Sequence, residues 1–90
     1  MAARRHVHYC GNVQGVGFRY TVSRLAGLSA VGGFVRNLPD GRVELVAEGE
    51  PGEVFDLLAG VREAMGRYIR RETVAEEPPT GEFQGFRVRF

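Results

Sequence analysis

Apolar and polar residues alternate along several short stretches of the chain, and glycine-rich segments separate these stretches. Over residues 4–10, Val7 and Tyr9 fall on one side and His6 and His8 on the other, which predicts a strand with one covered face. The segment 11–17 contains three glycines and predicts a loop. Beyond it, apolar residues recur every three or four positions, the spacing of a helix face, at Phe18, Val22, Leu25, Ala26 and Leu28.

The middle of the chain predicts a hairpin followed by a second helix. Residues 31–38 and 42–48 resemble strands, and the Leu-Pro-Asp-Gly turn at 38–41 joins them. Pro51 lies near the start of the second helix and Gly66 follows its end. The apolar stripe of this helix consists of Val54, Leu57, Leu58, Val61, Ala64 and Met65. We interpret this stripe as core.

Two further strands are predicted toward the end of the sequence. Residues 68–76 form a plausible strand with poor alternation, and a Pro-Pro-Thr-Gly break follows at 78–81. Phe86, Val88 and Phe90 then alternate with two arginines, as in a short terminal strand. The predicted order is therefore βαββαβ with an extra short C-terminal strand.

This order predicts an α+β, ferredoxin-like two-layer sandwich in a single domain spanning residues 1–90. Both helices should pack on one face of an antiparallel sheet. Right-handed crossovers make strands one and two parallel, with strand three antiparallel between them. The carboxyl ends of strands one and two then lie at one edge, about 10 Å apart. We therefore expect a functional site where the loop 11–17 approaches Asn37.

Composition and charge exclude several classes of function. The 12 basic and 11 acidic residues give a net charge of +1, which argues against nucleic-acid or membrane partners. Every basic residue is arginine, so chemistry that needs a lysine, such as Schiff-base formation or a P-loop, is excluded. A single cysteine excludes a disulfide framework. No signal-peptide pattern or apolar run of about 18 residues is present, which predicts a cytoplasmic protein.

The loop before the first helix has the composition of an anion-binding site. Glycines allow consecutive backbone N–H groups to point inward, and the loop delivers them to the positive end of a helix dipole. Arg19, in the first helical turn, can add a planar fork of donors that suits phosphate oxygens. The alternative interpretation is a glycine-rich turn followed by a surface arginine.

Asn37 is the second candidate because it ends the strand opposite this loop. Its amide can orient a water molecule through its carbonyl oxygen while it donates elsewhere. The alternative is a structural one, in which Asn37 caps the following Pro-Asp-Gly turn.

Four motifs in this sequence resemble the acylphosphatase family across nearly the whole chain. They read G-x-V-Q-G-V-x-F-R over residues 11–19, G-F-V-R-N over 33–37, G-x-V over 41–43 and G-F-x-V-R-F over 85–90. The resemblance implies the ferredoxin-like fold and hydrolysis of acyl phosphates to a carboxylate and phosphate without a metal. We expect a monomer that needs no cofactor. It also implies that Arg19 holds the substrate phosphate and that Asn37 positions the attacking water. The backbone amides implied to help are those of Gly15, Val16, Gly17, Phe18 and Arg19.

One alternative function remains open, and RNA binding and a metal site are not expected. A regulatory module that binds an acyl or carbamoyl phosphate without turnover is the main alternative. RNA binding is not expected, because the recognition motif around Gly33 is incomplete. His6 and His8 share one face of the first strand, but no third ligand is visible at a useful spacing, so no metal site is predicted. Cys10 is interpreted as a small packed residue.

Overall fold

A computed structural model describes residues 1–90 and contains two α-helices and five β-strands. The strands are β1 (Ala3–Gly11), β2 (Gly32–Asn37), β3 (Val43–Gly49), β4 (Ile69–Glu77) and β5 (Phe86–Arg89). The helices are α1 (Phe18–Ala26) and α2 (Pro51–Met65), and a 3₁₀ turn (Gly66–Tyr68) follows α2. The predicted βαββαβ order with an added final strand is confirmed.

The five strands form one sheet in the order β4-β1-β3-β2-β5. Strand β3 pairs antiparallel with both β1 and β2, so Leu45 has Val7 on one side and Val35 on the other. The prediction that the third strand separates the first two is therefore correct. Tyr9, Val43 and Asn37 share one row across the sheet, which places the ends of β1 and β2 at one edge.

The sheet is antiparallel, as expected, except at β5, which pairs in parallel with β2 and makes the sheet mixed. Strand β4 runs antiparallel to β1, so its last residues lie beside the first residues of β1, at the end of the sheet where β2 also begins. The segment 78–85 crosses that end of the sheet. There Arg4 contacts Thr80 and Glu82, and Glu48 contacts Thr80. The chain consequently enters β5 from the end at which β2 starts.

Both helices cover one face of the sheet and enclose the core, as predicted. The side chain of Glu50 accepts a hydrogen bond from the backbone N–H of Glu53, and Pro51 occupies the first turn of α2. No helix is both long enough and apolar enough to cross a membrane. The buried side chains of the two helices are Phe18, Val22, Ala26, Val54, Leu57, Leu58, Val61 and Met65.

Two predicted details differ from the structure. The helical spacing predicts Leu28 on the buried face of α1, but the helix ends at Ala26 and Leu28 is exposed. Gly27 follows as the capping residue, so the helical periodicity does not reach Leu28. The poor alternation of β4 has a simple cause, because this strand forms an edge of the sheet and most of its residues are exposed.

Candidate active site

Two neighbouring residues, Val13 and Gln14, hold the loop between β1 and α1 in place. Val13 is fully buried in the core. The side-chain amide of Gln14 donates to the carbonyl oxygens of Leu38 and Arg42, at 2.9 and 3.0 Å. These contacts hold the loop against the β2–β3 turn. The local sequence therefore brings the loop to the end of β2, as the topology predicted.

Gly15 and Gly17 give this loop its curvature. Their φ angles are 78° and 80°, in the left-handed region that glycine adopts without steric cost. Gly17 also serves as the N-cap of α1 and provides no side-chain cap. The first turn of the helix contains no acidic residue. The positive end of the helix dipole is therefore not neutralised by an acidic side chain of its own first turn.

The backbone N–H groups of residues 15–19 donate no hydrogen bond to any protein atom. The nearest backbone donors that do are Asn12, whose N–H reaches the Tyr68 carbonyl at 2.9 Å, and Thr21, whose N–H reaches the Gly17 carbonyl at 3.0 Å. All eight backbone donors between them, of residues 13–20, are free, and those of Gly15 to Arg19 lie at the start of the helix. Such an arrangement is suited to an anion.

A cavity of about 370 Å³ opens beside this loop and contains most of the predicted site residues. Gly15, Gly17, Phe18, Arg19 and Asn37 all line it. Val16 does not line it, because its half-buried side chain packs against the core. The structure thus brings together five of the six residues.

The Phe18 side chain packs in the hydrophobic core. It is 2% exposed, and its ring centroid lies 4.9 Å from that of Tyr9. Only its backbone can therefore face an anion in the loop.

Arg19 is half-buried and is held by the final residues of the chain. Its guanidinium carbon lies 4.7 Å from the centroid of the Phe90 ring. Its Nη1 donates to the carbonyl oxygen of Arg89 at 3.4 Å. No carboxylate pairs with Arg19, so its charge is available to an anionic ligand.

The Asn37 side chain makes no hydrogen bond within the protein, which disfavours the structural alternative. The turn after it is closed instead by the N–H of Leu38, which donates to the Arg42 carbonyl at 2.8 Å. Asp40 adds a side-chain contact, accepting from the Arg42 N–H at 3.1 Å. Asn37 is therefore not needed to cap this turn, and its amide is free at the cavity.

Five further residues line the cavity, and sequence reasoning did not assign them to it: Val13, Tyr20, Ser23, Val88 and Phe90. Helical spacing from Arg19 could have indicated Ser23, four residues later on the same face. The two residues near the end of the chain could not be assigned, because the position of β5 beside β2 was not predicted. Together the five give the cavity a largely apolar wall.

The open face of the sheet, away from the helices, holds the two histidines. His6 and His8 point to this face because they alternate with the buried Val7 and Tyr9. The sequence showed no third potential ligand, but β3 provides one in Glu44, and the three side chains place ligand atoms within 4.8 Å of one another. Cys10, which is partly exposed, is not a member of this cluster.

The electrostatics of the two histidines differ. Burial lowers the pKa of His6, but hydrogen bonds to Glu77 and Glu44 outweigh burial and raise the pKa above its ordinary value. Burial and the nearby charge of His6 lower the pKa of His8. The two rings lie close together, with centroids 4.8 Å apart.

Comparison with known proteins gives a consistent result. Residues 5–88 match the family model described as Acylphosphatase. A protein named Acylphosphatase from Methylococcus capsulatus is 49% identical over 88 residues, covering 94% of this chain and 94% of the relative. The crystal structure of acylphosphatase from Bacillus subtilis superposes with a TM-score of 0.87 at 28% identity, and each chain is covered completely.

The same fold also occurs within a much larger protein. The crystal structure of HypF from T. kodakarensis matches all of this chain with a TM-score of 0.76 at 33% identity. The matching part makes up 12% of the HypF chain.

Proposed function

Since the chain belongs to the acylphosphatase family, whose members are hydrolases, we propose that it cleaves small acyl phosphates at the cavity beside Arg19 and Asn37. Water attacks the phosphorus atom, the bond between phosphorus and the acyl oxygen breaks, and a carboxylate and inorganic phosphate leave. The observation that carries this proposal is the meeting of free backbone N–H groups, an unpaired arginine and a free carboxamide at one cavity.

The free backbone N–H groups of Gly15 to Arg19 bind the phosphate oxygens in this proposal. Phosphoryl transfer proceeds through a largely dissociative transition state, with charge spread over the equatorial oxygens. Preorganised N–H donors at a helix N-terminus stabilise that charge without reorganisation during the reaction. The guanidinium of Arg19 adds a full positive charge and a second set of donors.

Asn37 positions the water. Its carbonyl oxygen can accept a hydrogen bond from the attacking water and so direct the water oxygen toward phosphorus. The leaving carboxylate has a pKa of about 4, so it departs without protonation by a general acid. A substrate phosphate oxygen can take the proton that the water loses. The reaction proposed here therefore requires no metal ion.

The proposal extends to the organisation of the enzyme. We propose that residues 1–90 form one catalytic domain, because a single sheet and one core of 16 buried residues support the site. We also propose that it acts as a monomer, since one chain supplies every group invoked. A single cysteine, and hence no intrachain disulfide, fits the cytoplasm.

An alternative function is recognition of an acyl or carbamoyl phosphate without free turnover. The similarity to a small part of HypF favours this alternative, because the fold there belongs to a larger chain. Both functions require phosphate binding, so binding does not separate them. Steady-state hydrolysis of benzoyl phosphate in the presence of a chelator does, and we expect multiple turnovers.

Replacing Arg19 tests the phosphate site. We expect Arg19→Ala to lower kcat/KM for benzoyl phosphate by about 10²- to 10³-fold, the usual cost of a lost transition-state donor. Arg24→Ala is the matched control, because Arg24 lies exposed on the same helix and does not line the cavity. Activity of Arg19→Ala equal to that of the control would remove Arg19 from the mechanism.

Replacing Asn37 tests the position of the water. We expect Asn37→Ala to lower kcat by about 10²-fold with little change in KM, because a misplaced nucleophile affects the reaction more than substrate binding. Asn12→Ala, on the exposed part of the loop outside the cavity, is the control. A rise in KM with unchanged kcat would instead assign Asn37 to substrate binding.

A further inference from the structure

We propose that the open face of the sheet binds a zinc ion through His6, His8 and Glu44. These residues come from two neighbouring strands and lie on the face opposite the helices. The proposed site is separate from the cavity described above, and the proposal does not depend on the function assigned to that cavity.

The three donor atoms lie within 4.8 Å of one another. The Nε2 of His6 lies 2.6 Å from the Oε2 of Glu44, and the Nε2 of His8 lies 3.8 Å from the same oxygen. Tetrahedral zinc with bonds of about 2.0–2.2 Å places neighbouring ligand atoms about 3.3 Å apart. For zinc to enter, the first distance must open and the second must close, each by roughly 1 Å or less. The ligand nitrogens of the two histidines, which lie within 4.8 Å of each other, must reach a similar separation.

Glu44 is held in the orientation that such a site needs. It is 6% exposed, and its Oε1 accepts from the Nε of Arg36. Only Oε2 is therefore directed toward the histidines. Two histidines with one carboxylate form a common ligand set for zinc, in which a solvent molecule completes the tetrahedron. Solvent reaches this point, because the side chains of His6 and His8 are 25% and 27% exposed.

Glu77 on β4 supplies the outer hydrogen bond that metal-binding histidines usually have. Its Oε2 lies 2.9 Å from the Nδ1 of His6. A carboxylate on one ring nitrogen fixes the ring and makes the other nitrogen a better ligand. Glu77 itself is held by Arg4, whose Nε donates to its Oε1 at 2.9 Å. This arrangement extends the site across three strands and distinguishes it from two histidines that happen to be near each other.

Titration with zinc tests the proposal directly. Chelator-treated protein should bind one Zn²⁺ per chain by isothermal titration calorimetry, and Co²⁺ should give the visible absorption of a tetrahedral site. We expect His8→Ala to weaken zinc binding by about tenfold or more. The chain contains no histidine other than His6 and His8, and Cys10→Ser should bind zinc like the unmodified protein.

Glu77 provides the decisive comparison. We expect Glu77→Gln to weaken zinc binding about 10- to 100-fold, the usual effect of losing an outer partner of a ligand. Glu76→Gln is the matched control, because Glu76 is the adjacent residue, is highly exposed and contacts Arg5 instead. Equal affinities for the two variants, or no difference between the unmodified protein and His8→Ala, would overturn the proposal. Circular dichroism establishes that each variant is folded.

Discussion

Gly33, in the second of the sequence motifs, is required by packing. Its φ is 142°, and a Cβ atom at this position would lie 1.8 Å from the carbonyl oxygen of Val46. The backbone of β3 cannot move away, because β3 is hydrogen-bonded on both sides. Gly15 and Gly17 differ, since a Cβ atom at either position would meet no atom within 4 Å. Their requirement comes from the left-handed backbone of the loop alone.

This contrast predicts two different costs of adding a methyl group. Gly41, in the β2–β3 turn, has a φ of 95°, and a Cβ atom there would meet no atom within 4 Å. Gly41→Ala should therefore lower the free energy of unfolding by about 1–2 kcal/mol, because alanine is strained in the left-handed conformation. Gly33→Ala adds a backbone clash and should cost more than about 4 kcal/mol, the range of exceptional substitutions. Urea unfolding measures both, and equal losses would show that conformation rather than packing determines the cost.

Strand β5 connects the edge of the sheet to the proposed phosphate site. It pairs with β2 and brings Val88 and Phe90 to the cavity wall. The ring of Phe90 and the carbonyl oxygen of Arg89 contact the Arg19 guanidinium from one side. These contacts order the Arg19 side chain before a phosphate binds. Binding therefore costs less side-chain conformational entropy, which favours affinity.

Removing this contact should weaken substrate binding without unfolding the protein. A cation–π contact at an exposed site contributes about 0.5–1 kcal/mol, so Phe90→Ala should raise KM for benzoyl phosphate by about two- to fivefold. Its kcat should change less than its KM. Phe55→Ala is the control, because Phe55 is 69% exposed on α2 and does not line the cavity. An unchanged KM in Phe90→Ala would exclude the positioning role of Phe90.

The pattern of the sequence was sufficient for elements whose cause is local. Period-two alternation located β1, and the stripe from Val54 to Met65 located α2. The loop 11–17 and Asn37 were brought together by topology alone. The parallel pairing of β5 was not predicted, because the route of residues 78–85 depends on contacts with distant side chains. Glu44 was missed as a potential ligand for the same reason, since its position beside His8 depends on the register between β1 and β3.

At the scale of the whole molecule, Glu48 holds the segment 78–85, which connects the two outer strands of the sheet, β4 and β5. Its carboxylate accepts from the backbone N–H groups of Thr80 and Gly81, at 3.1 and 2.6 Å, and from Arg4 at 3.2 Å. Burial raises the pKa of Glu48, but these hydrogen bonds outweigh burial and hold the pKa below its ordinary value of 4.5. The ionised form is therefore the one that stabilises the fold.

A lowered pKa in the folded state makes this contribution dependent on pH. The stabilisation from Glu48 should be complete above its ordinary pKa of 4.5 and should disappear as the pH falls through the lower folded-state value. Glu48→Gln, which cannot ionise, should therefore be less stable than the unmodified protein at about pH 7 and close to it at about pH 3. Urea unfolding at both values measures the two differences. Glu63→Gln, on the exposed side of α2, should match the unmodified protein at neutral pH. A stability gap for Glu48→Gln that is equal at both pH values would show that Glu48 acts by packing and not by its charge.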